Sequence, residues 1–181
     1  MDIEPGFEVF VARTRIGLPD LNDWTYIGKD GRRFRMWKLR TMVMNADEYL
    51  ETYLQANPGA QCEWLSCQKL KDDPRVTPLG RILRKTSIDE LPQLLNVLNG
   101  TMSLVGPRPM MPDQKRYYHG QAYYTMRPGI TGPWQTSGRN YCSTFQERVG
   151  YDNAYAREMS FKTDLQLLFK TVGVVLRATG H

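Results

Sequence analysis

The strongest constraint in this chain is a leucine stripe that starts on two adjacent carboxylates. Leu91, Leu94, Leu95 and Leu98 are spaced i, i+3, i+4 and i+7, and Asn99-Gly100 follows. That is the repeat of one helical face with its C-terminal stop. Asp89 and Glu90 stand directly before it. Two N-termini are open. Ser87 with Glu90 has capping-box spacing but leaves Pro92 beyond the first turn, where it costs a backbone hydrogen bond. With Asp89 as the N-cap, Pro92 falls at the third helical position, and this register is preferred. In both, Asp89 and Glu90 lie at a helix N-terminus, where free N–H groups also favour a bound anion.

The rest of the chain reads as short elements separated by proline and glycine. Phe7–Ile16 and Phe34–Leu39 are rich in aromatic and branched residues, and the second alternates with strand period, which predicts a β-hairpin. Its connection, 17–31, is a long excursion closing in a Lys29-Asp30-Gly31 turn. Helical spacing covers Met42 to Gln55, stopped by Asn57-Pro58-Gly59, then Ala60 to Leu70, then Pro78 to Arg84 with Leu79, Ile82 and Leu83 on one side. After Ser103–Val105, Gly106-Pro107-Arg108-Pro109 is a stiff turn holding one arginine between prolines. Residues 127–140 have neither period and read as a structured loop. The last helix, Ser160 to Ala178, gathers Phe161, Leu165, Leu168, Phe169, Val172 and Leu176 on one face. A core-facing helix and one lying on lipid both fit that pattern.

A length of 181 residues suits one domain. With 41% apolar and 24% charged residues, and glycine and proline dispersed, the chain is neither disordered nor collagen-like. Cys62, Cys67 and Cys142 are odd in number, and the histidines are His119 and His181, so neither a disulfide framework nor a zinc site is supported. A reducing compartment follows. The first ten residues carry three acidic side chains and no apolar core, unlike a signal peptide, and no stretch reaches membrane-spanning length. The net charge of +5 is uneven: Lys29 to Arg40 carries +5, Lys69 to Lys85 carries +4, and the remainder −4. Such concentration points to an anionic ligand or surface, or to solvated faces.

Adjacent carboxylates, basic residues just before them (Arg81, Arg84, Lys85) and arginines in glycine or proline loops (Arg108, Arg127, Arg139) suit phosphate chemistry. Carboxylates hold Mg2+ together with substrate phosphates, arginines neutralise phosphate oxygens, and a carboxylate can itself be the nucleophile. The same residues also fit a plain capping role, Asp89 as cap and Glu90 complementing the dipole. Asp72-Asp73 before Pro74 reads as a turn rather than a second metal site, and His119 as a surface or packing residue.

The string Lys85-Thr86-Ser87-Ile88-Asp89-Glu90-Leu91-Pro92-Gln93-Leu94, with Asn96-Val97-Leu98, Met102 to Pro109 and Arg127-Pro128-Gly129-Ile130-Thr131-Gly132, resembles the bacterial sugar transferases, the monotopic phosphoglycosyl transferases. Lys38 to Met42, Asp72 to Thr77, Ser137 to Asn140 and Asp152 extend the likeness over nearly the whole chain. The resemblance implies transfer of a sugar 1-phosphate from a UDP-sugar to undecaprenyl phosphate with release of UMP, early in exopolysaccharide, capsule or O-antigen assembly, at the cytoplasmic face of the bacterial inner membrane. It implies Asp89 as the nucleophile and Glu90, with Asp89, as Mg2+ ligand. Arg84 and Arg108 would bind phosphate, and Lys38, Arg40, Arg139 and Asp152 match further substrate-binding positions. Glu63 to Pro74 and Trp134 to Arg139 look most like the hexose, often galactose, transferases.

The family carries a hydrophobic re-entrant helix just before the segment matching Gly6 to Phe10, and here only five residues precede that segment. The expectation is therefore an α+β, mainly helical single catalytic domain, 1–181, with a short antiparallel hairpin, membrane-associated but without that anchor. The excursion at Leu18 to Tyr26 is longer than the family hairpin. The family context favours lipid contact for the last helix. Expected partners are the UDP-sugar, undecaprenyl phosphate and a membrane surface, with a second copy of the chain also considered and nucleic acid not expected. Two other classes compete: a noncatalytic nucleotide-sugar-binding module, and a nucleic-acid binder stacking bases on Tyr117, Tyr118, Tyr123 and Tyr124.

Overall fold

The computed structural model describes residues 25–67, 69–138 and 145–176. A hairpin comes first: β1 (Thr25–Ile27) pairs antiparallel with β2 (Arg33–Arg35), Tyr26 opposite Phe34. Phe34 is buried while Arg33 and Arg35 are exposed, as an alternating strand requires. The partner of β2 thus comes from the stretch expected to be the excursion, and the Lys29–Gly31 turn closes it. Phe7–Ile16 lies outside the described residues.

Two helices follow, α1 (Ala46–Ala56) and α2 (Pro58–Cys67). Asn57 ends the first, and Pro58 opens the second rather than merely stopping a helix, since a first-turn position has no N–H bond to lose. The next, α3 (Pro78–Thr86), is capped by Thr77, whose hydroxyl accepts the Gly80 N–H at 2.9 Å. A Cβ on Gly80 would fall 2.1 Å from the Thr41 carbonyl oxygen, so only glycine lets α3 lie against the segment leaving β2.

The expected single helix after α3 is split. Ser87 adopts a left-handed conformation (φ 57°) that ends α3, Ile88–Gln93 forms a 3₁₀ turn, and α4 covers only Leu94–Leu98. Neither Ser87 nor Asp89 acts as a side-chain cap; Asp89 and Glu90 sit in the first 3₁₀ turn, and the change of helix type accommodates Pro92. The leucine stripe also points the other way from a core helix. Gln93 and Asn96 are buried, whereas Leu91, Leu94, Leu95 and Leu98 are exposed, Leu98 to 83%.

Residues 127–140 are more regular than their sequence suggests. β3 (Ser103–Val105) pairs parallel with β4 (Gly129–Thr131), and a π-helical turn spans Trp134–Gly138. After the short α5 (Ala122–Thr125), α6 (Phe145–Glu158) was not foreseen, its inner face being polar as well as apolar: Arg148, Val149, Asp152 and Tyr155. The last helix is α7 (Phe161–Leu176). It turns Leu167 inward and leaves Phe161, Leu165, Phe169 and Val172 exposed.

Two apolar clusters hold the frame. Ile27, Met110, Tyr118, Tyr123 and Val149 join the hairpin to α5 and α6, while Val105, Met126, Tyr155 and Leu167 join the parallel pair to α6 and α7. The fully buried Tyr123 hydroxyl receives the Met110 N–H at 3.2 Å and donates to the Ile27 carbonyl at 2.5 Å. That ties β1 to the loop that carries Arg108. No helix among the described residues is long and apolar enough to cross a membrane.

Candidate active site

Asp89 and Glu90 are presented by the 3₁₀ turn between α3 and α4, against the extended segment that leaves β2. Leu39 N–H donates to the Asp89 carbonyl at 3.0 Å, which sets the two backbones side by side. The Lys38 ammonium then lies 2.9 Å from Asp89 Oδ2 and 3.5 Å from Glu90 Oε1. Asp89 is only 2% exposed, while Lys38 and Glu90 are partly open to solvent. Such a buried carboxylate needs its paired cation, because an isolated charge in that position would cost several kcal/mol.

Arg84 comes in from α3. Its Nε donates to Thr41 Oγ1 at 2.8 Å. Burial lowers its pKa, opposed by the fields of Asp73, Asp89 and Glu90, so one guanidinium lies within the field of three acidic groups. Asp73 belongs to a closed pair: it accepts Arg75 Nε at 2.9 Å and Nη2 at 2.7 Å. Burial pushes the Asp73 carboxyl up, yet the Arg75 hydrogen bonds outweigh it and hold it below the usual range. The turn reading of Asp72-Asp73-Pro74 agrees with this, and no group of three potential metal ligands occurs among the described residues.

Arg108 is linked to the dyad through Tyr26. Burial raises the Tyr26 phenol pKa, Arg108 lowers it, and Glu90 and Asp113 raise it further, so Arg108 and Glu90 both act on one phenol. The Arg108 guanidinium lies 5.4 Å from the centre of the buried Trp134 ring, with that of Arg148 at 5.3 Å and Lys69 Nζ at 5.7 Å. Cations over the indole face are attracted by its quadrupole, which lets two arginines share one ring. Arg148 also donates to the Arg108 carbonyl at 2.9 Å.

Asp152 occupies a different environment. It is 2% exposed, and its Oδ2 accepts the Tyr118 hydroxyl at 2.7 Å. Burial pushes its carboxyl up to about 6, against the Tyr118 hydrogen bond and the Arg148 charge. Burial also takes Arg148 down to about 10. The structure thus brings Lys38, Arg84, Asp89 and Glu90 together, links Arg108 to Glu90 through their shared action on Tyr26, and places Asp152 in a network that touches Arg108 through Arg148. Arg40 donates to the Met44 sulfur. Arg139 lies outside the described residues. Sequence reasoning assigned no site role to Asn96 or Arg148 and weighed Tyr118 only for base stacking; Asn96 left a trace as a polar residue inside a leucine-rich helix.

Two open clefts of about 630 and 420 Å³ lie beside Lys115 and Tyr124 and beside Tyr53 and Glu63. Neither is lined by the dyad. Two adjacent carboxylates, one buried and one partly open, thus stand beside the Lys38 ammonium and within the field of the Arg84 guanidinium.

A family model described as bacterial sugar transferase matches residues 7–178. The chain belongs to that family. It is 48% identical over 169 residues to the undecaprenyl-phosphate galactose phosphotransferase of Salmonella typhimurium, covering 92% of this chain and 35% of that protein. Against the exopolysaccharide production protein ExoY of Sinorhizobium fredii the identity is 47% over 156 residues, 85% of this chain and 69% of ExoY. The UDP-glucose:undecaprenyl-phosphate glucose-1-phosphate transferase of Escherichia coli is 37% identical over 157 residues, 82% of this chain and 31% of that protein. The chain therefore spans about a third of the Salmonella and Escherichia proteins.

Proposed function

We propose that this chain is the catalytic domain of an undecaprenyl-phosphate sugar-1-phosphate transferase that starts exopolysaccharide or capsule assembly. The donor is a UDP-sugar, with galactose favoured by the printed name of the Salmonella relative. One Asp89 carboxylate oxygen attacks the phosphorus bearing the sugar. The bond from that phosphorus to the bridging oxygen breaks, and UMP leaves with the bridging oxygen and its electron pair. An oxygen of undecaprenyl phosphate then attacks the same phosphorus, the acyl-phosphate bond breaks, and Asp89 regains its carboxylate. No proton has to be abstracted from the nucleophile, in keeping with a site built without histidine. The observation that carries this reading is the buried Asp89 carboxylate, held at 2.9 Å by Lys38 beside the more open Glu90.

Glu90 and Asp89 offer hard oxygen donors in the number Mg2+ uses when substrate phosphates complete its shell. When bound there, the ion supplies neutralisation of diphosphate charge. Lys38 and Arg84 hold the charge of the dyad in place, and Arg108 binds the phosphates. Contact with lipid is supported by the outward apolar residues Leu94, Leu95 and Leu98 of α4 and Phe161, Phe169 and Val172 of α7. Lys162 and Lys170, also exposed on α7, stand where anionic headgroups would meet them.

The test is UMP release from a panel of UDP-sugars with Mg2+ and undecaprenyl phosphate in nanodiscs. Multiple turnovers that require the lipid phosphate, and that vanish in Asp89→Asn with an unchanged circular dichroism spectrum, are expected. UDP-sugar binding without UMP release, unaltered in Asp89→Asn, would replace the transferase by a binding module.

A further inference from the structure

Among the described residues, no strand pairs with the stretch that holds Lys38: β2 ends at Arg35, and the next backbone bridge is Met42 with Val76. A lysine side chain has a flexible four-carbon stem, yet its ammonium sits 2.9 Å from Asp89. Its place therefore depends on what holds the backbone on either side of it.

The fixing group is Asn96, only 1% exposed, on the inner face of α4. Its Oδ1 accepts the Trp37 N–H at 2.9 Å, and its Nδ2 donates to the Arg35 carbonyl at 2.7 Å. The side-chain amide thus pairs with the chain as a neighbouring strand would. Its second N–H goes to Thr101 Oγ1 at 3.0 Å. Leu39 is held by the Asp89 carbonyl. Lys38 is therefore bracketed: Trp37 is fixed by Asn96 and Leu39 by the backbone of the nucleophile itself. Both anchors belong to the 88–98 stretch, so the lysine and the dyad are located by one element.

We infer that Asn96 is a positioning residue, an amide clamp that fixes the backbone beside Lys38 and sets its ammonium against Asp89. The inference rests on the transferase reading for its kinetic consequence and stands on geometry for the rest. Asparagine suits the task because it carries one acceptor and two donors on a short, rigid stem. Aspartate in the same place would lack both donors, and leucine would leave the Trp37 N–H and the Arg35 carbonyl without this partner.

The experiment compares Asn96→Ala with Thr101→Val, which deletes the hydroxyl contacts of Thr101 with Asn96 and leaves both hydrogen bonds from the Asn96 amide to Arg35 and Trp37 in place. A Trp37 amide-to-ester replacement, which removes the clamped N–H and no side chain, is the second probe if Asn96→Ala does not fold. Displacement of a catalytic group by about 1 Å costs on the order of a hundredfold. Single-turnover formation of the phosphosugar–Asp89 species should fall by about that factor in Asn96→Ala, and by a smaller one in the ester variant, with KM for the UDP-sugar within about threefold. Thr101→Val should keep wild-type kcat. Equal losses in Thr101→Val, or KM and kcat changing together, would reduce Asn96 to a purely structural residue. An activity-free readout separates this from the transferase reading: acetylation of Lys38 by acetic anhydride, followed by mass spectrometry, should speed up in Asn96→Ala but not in Thr101→Val. Faster labelling with no UMP release from the wild type would sink the function and keep the clamp; unchanged labelling would sink the clamp.

Discussion

Asp89 and Asp152 are buried to the same 2% and lead opposite lives. Asp89 has a lysine ammonium at 2.9 Å and a second carboxylate next door that is partly open. Asp152 has a neutral phenol at 2.7 Å and an arginine only within its field, and burial takes its carboxyl to about 6. One carboxylate is paired with an ammonium beside a partly open neighbour. The other is sealed among Tyr118, Tyr123 and Arg148. Burial alone does not distinguish the two; the partner does.

The sharpest way to break this comparison is to neutralise each aspartate in turn. Asp89→Asn should lower UMP release by more than about a thousandfold, since an amide oxygen is a poor nucleophile, whereas Asp152→Asn, which keeps an acceptor for Tyr118, should stay within about tenfold. Similar losses in both, measured at equal folded fraction, would erase the distinction. Lys38→Met should come next, with kcat down by about a hundredfold and the melting temperature lowered as well, because Asp89 is left buried without its cation. Lys38→Arg should restore the melting temperature; an unchanged melting temperature in Lys38→Met would mean that the fold does not depend on this pair.

The third prediction concerns pH. The native Asp152 carboxyl holds its proton more tightly than the unfolded chain does, so its contribution is complete below about pH 4 and is lost as pH rises to about 6. Urea unfolding across that window should show the wild type losing up to about 3 kcal/mol relative to Asp152→Asn, the equivalent of the shift. A pH-independent difference would mean that Asp152 ionises in the fold as freely as in the open chain. The smallest effect is expected from Tyr118→Phe, a loss of about 1–3 kcal/mol with kcat nearly intact. A large kcat loss there would show that the buried network, through Arg148 and the Arg108 carbonyl, governs donor binding more than the geometry implies.

The legible part of this site was its local part. Asp89-Glu90, the arginine between Pro107 and Pro109, and the helices at 46–56 and 78–86 follow from spacing and turn chemistry that neighbouring residues settle among themselves. Spacing also marked the leucine stripe, but periodicity states which residues share a face and is silent on what covers that face. Here Gln93 and Asn96 turn inward and the leucines outward. The β1 strand was hidden because Thr25–Ile27 has no alternation to show in three residues. The helix at 145–158 was missed since its buried side includes Arg148 and Asp152, which look like surface residues until their partners from distant segments are known.

The sequence by itself determined the family, the presence of adjacent carboxylates close to basic residues, and the division into short elements, because each depends on residues within a turn or two of one another. Only the tertiary structure decided which aspartate receives Lys38, how one asparagine bonds to the segment after β2, and which way the leucine stripe faces. Those outcomes depend on contacts between residues 50 or more positions apart, such as Lys38 with Glu90 and Trp37 with Asn96, and no local pattern encodes the direction from which a distant group will arrive.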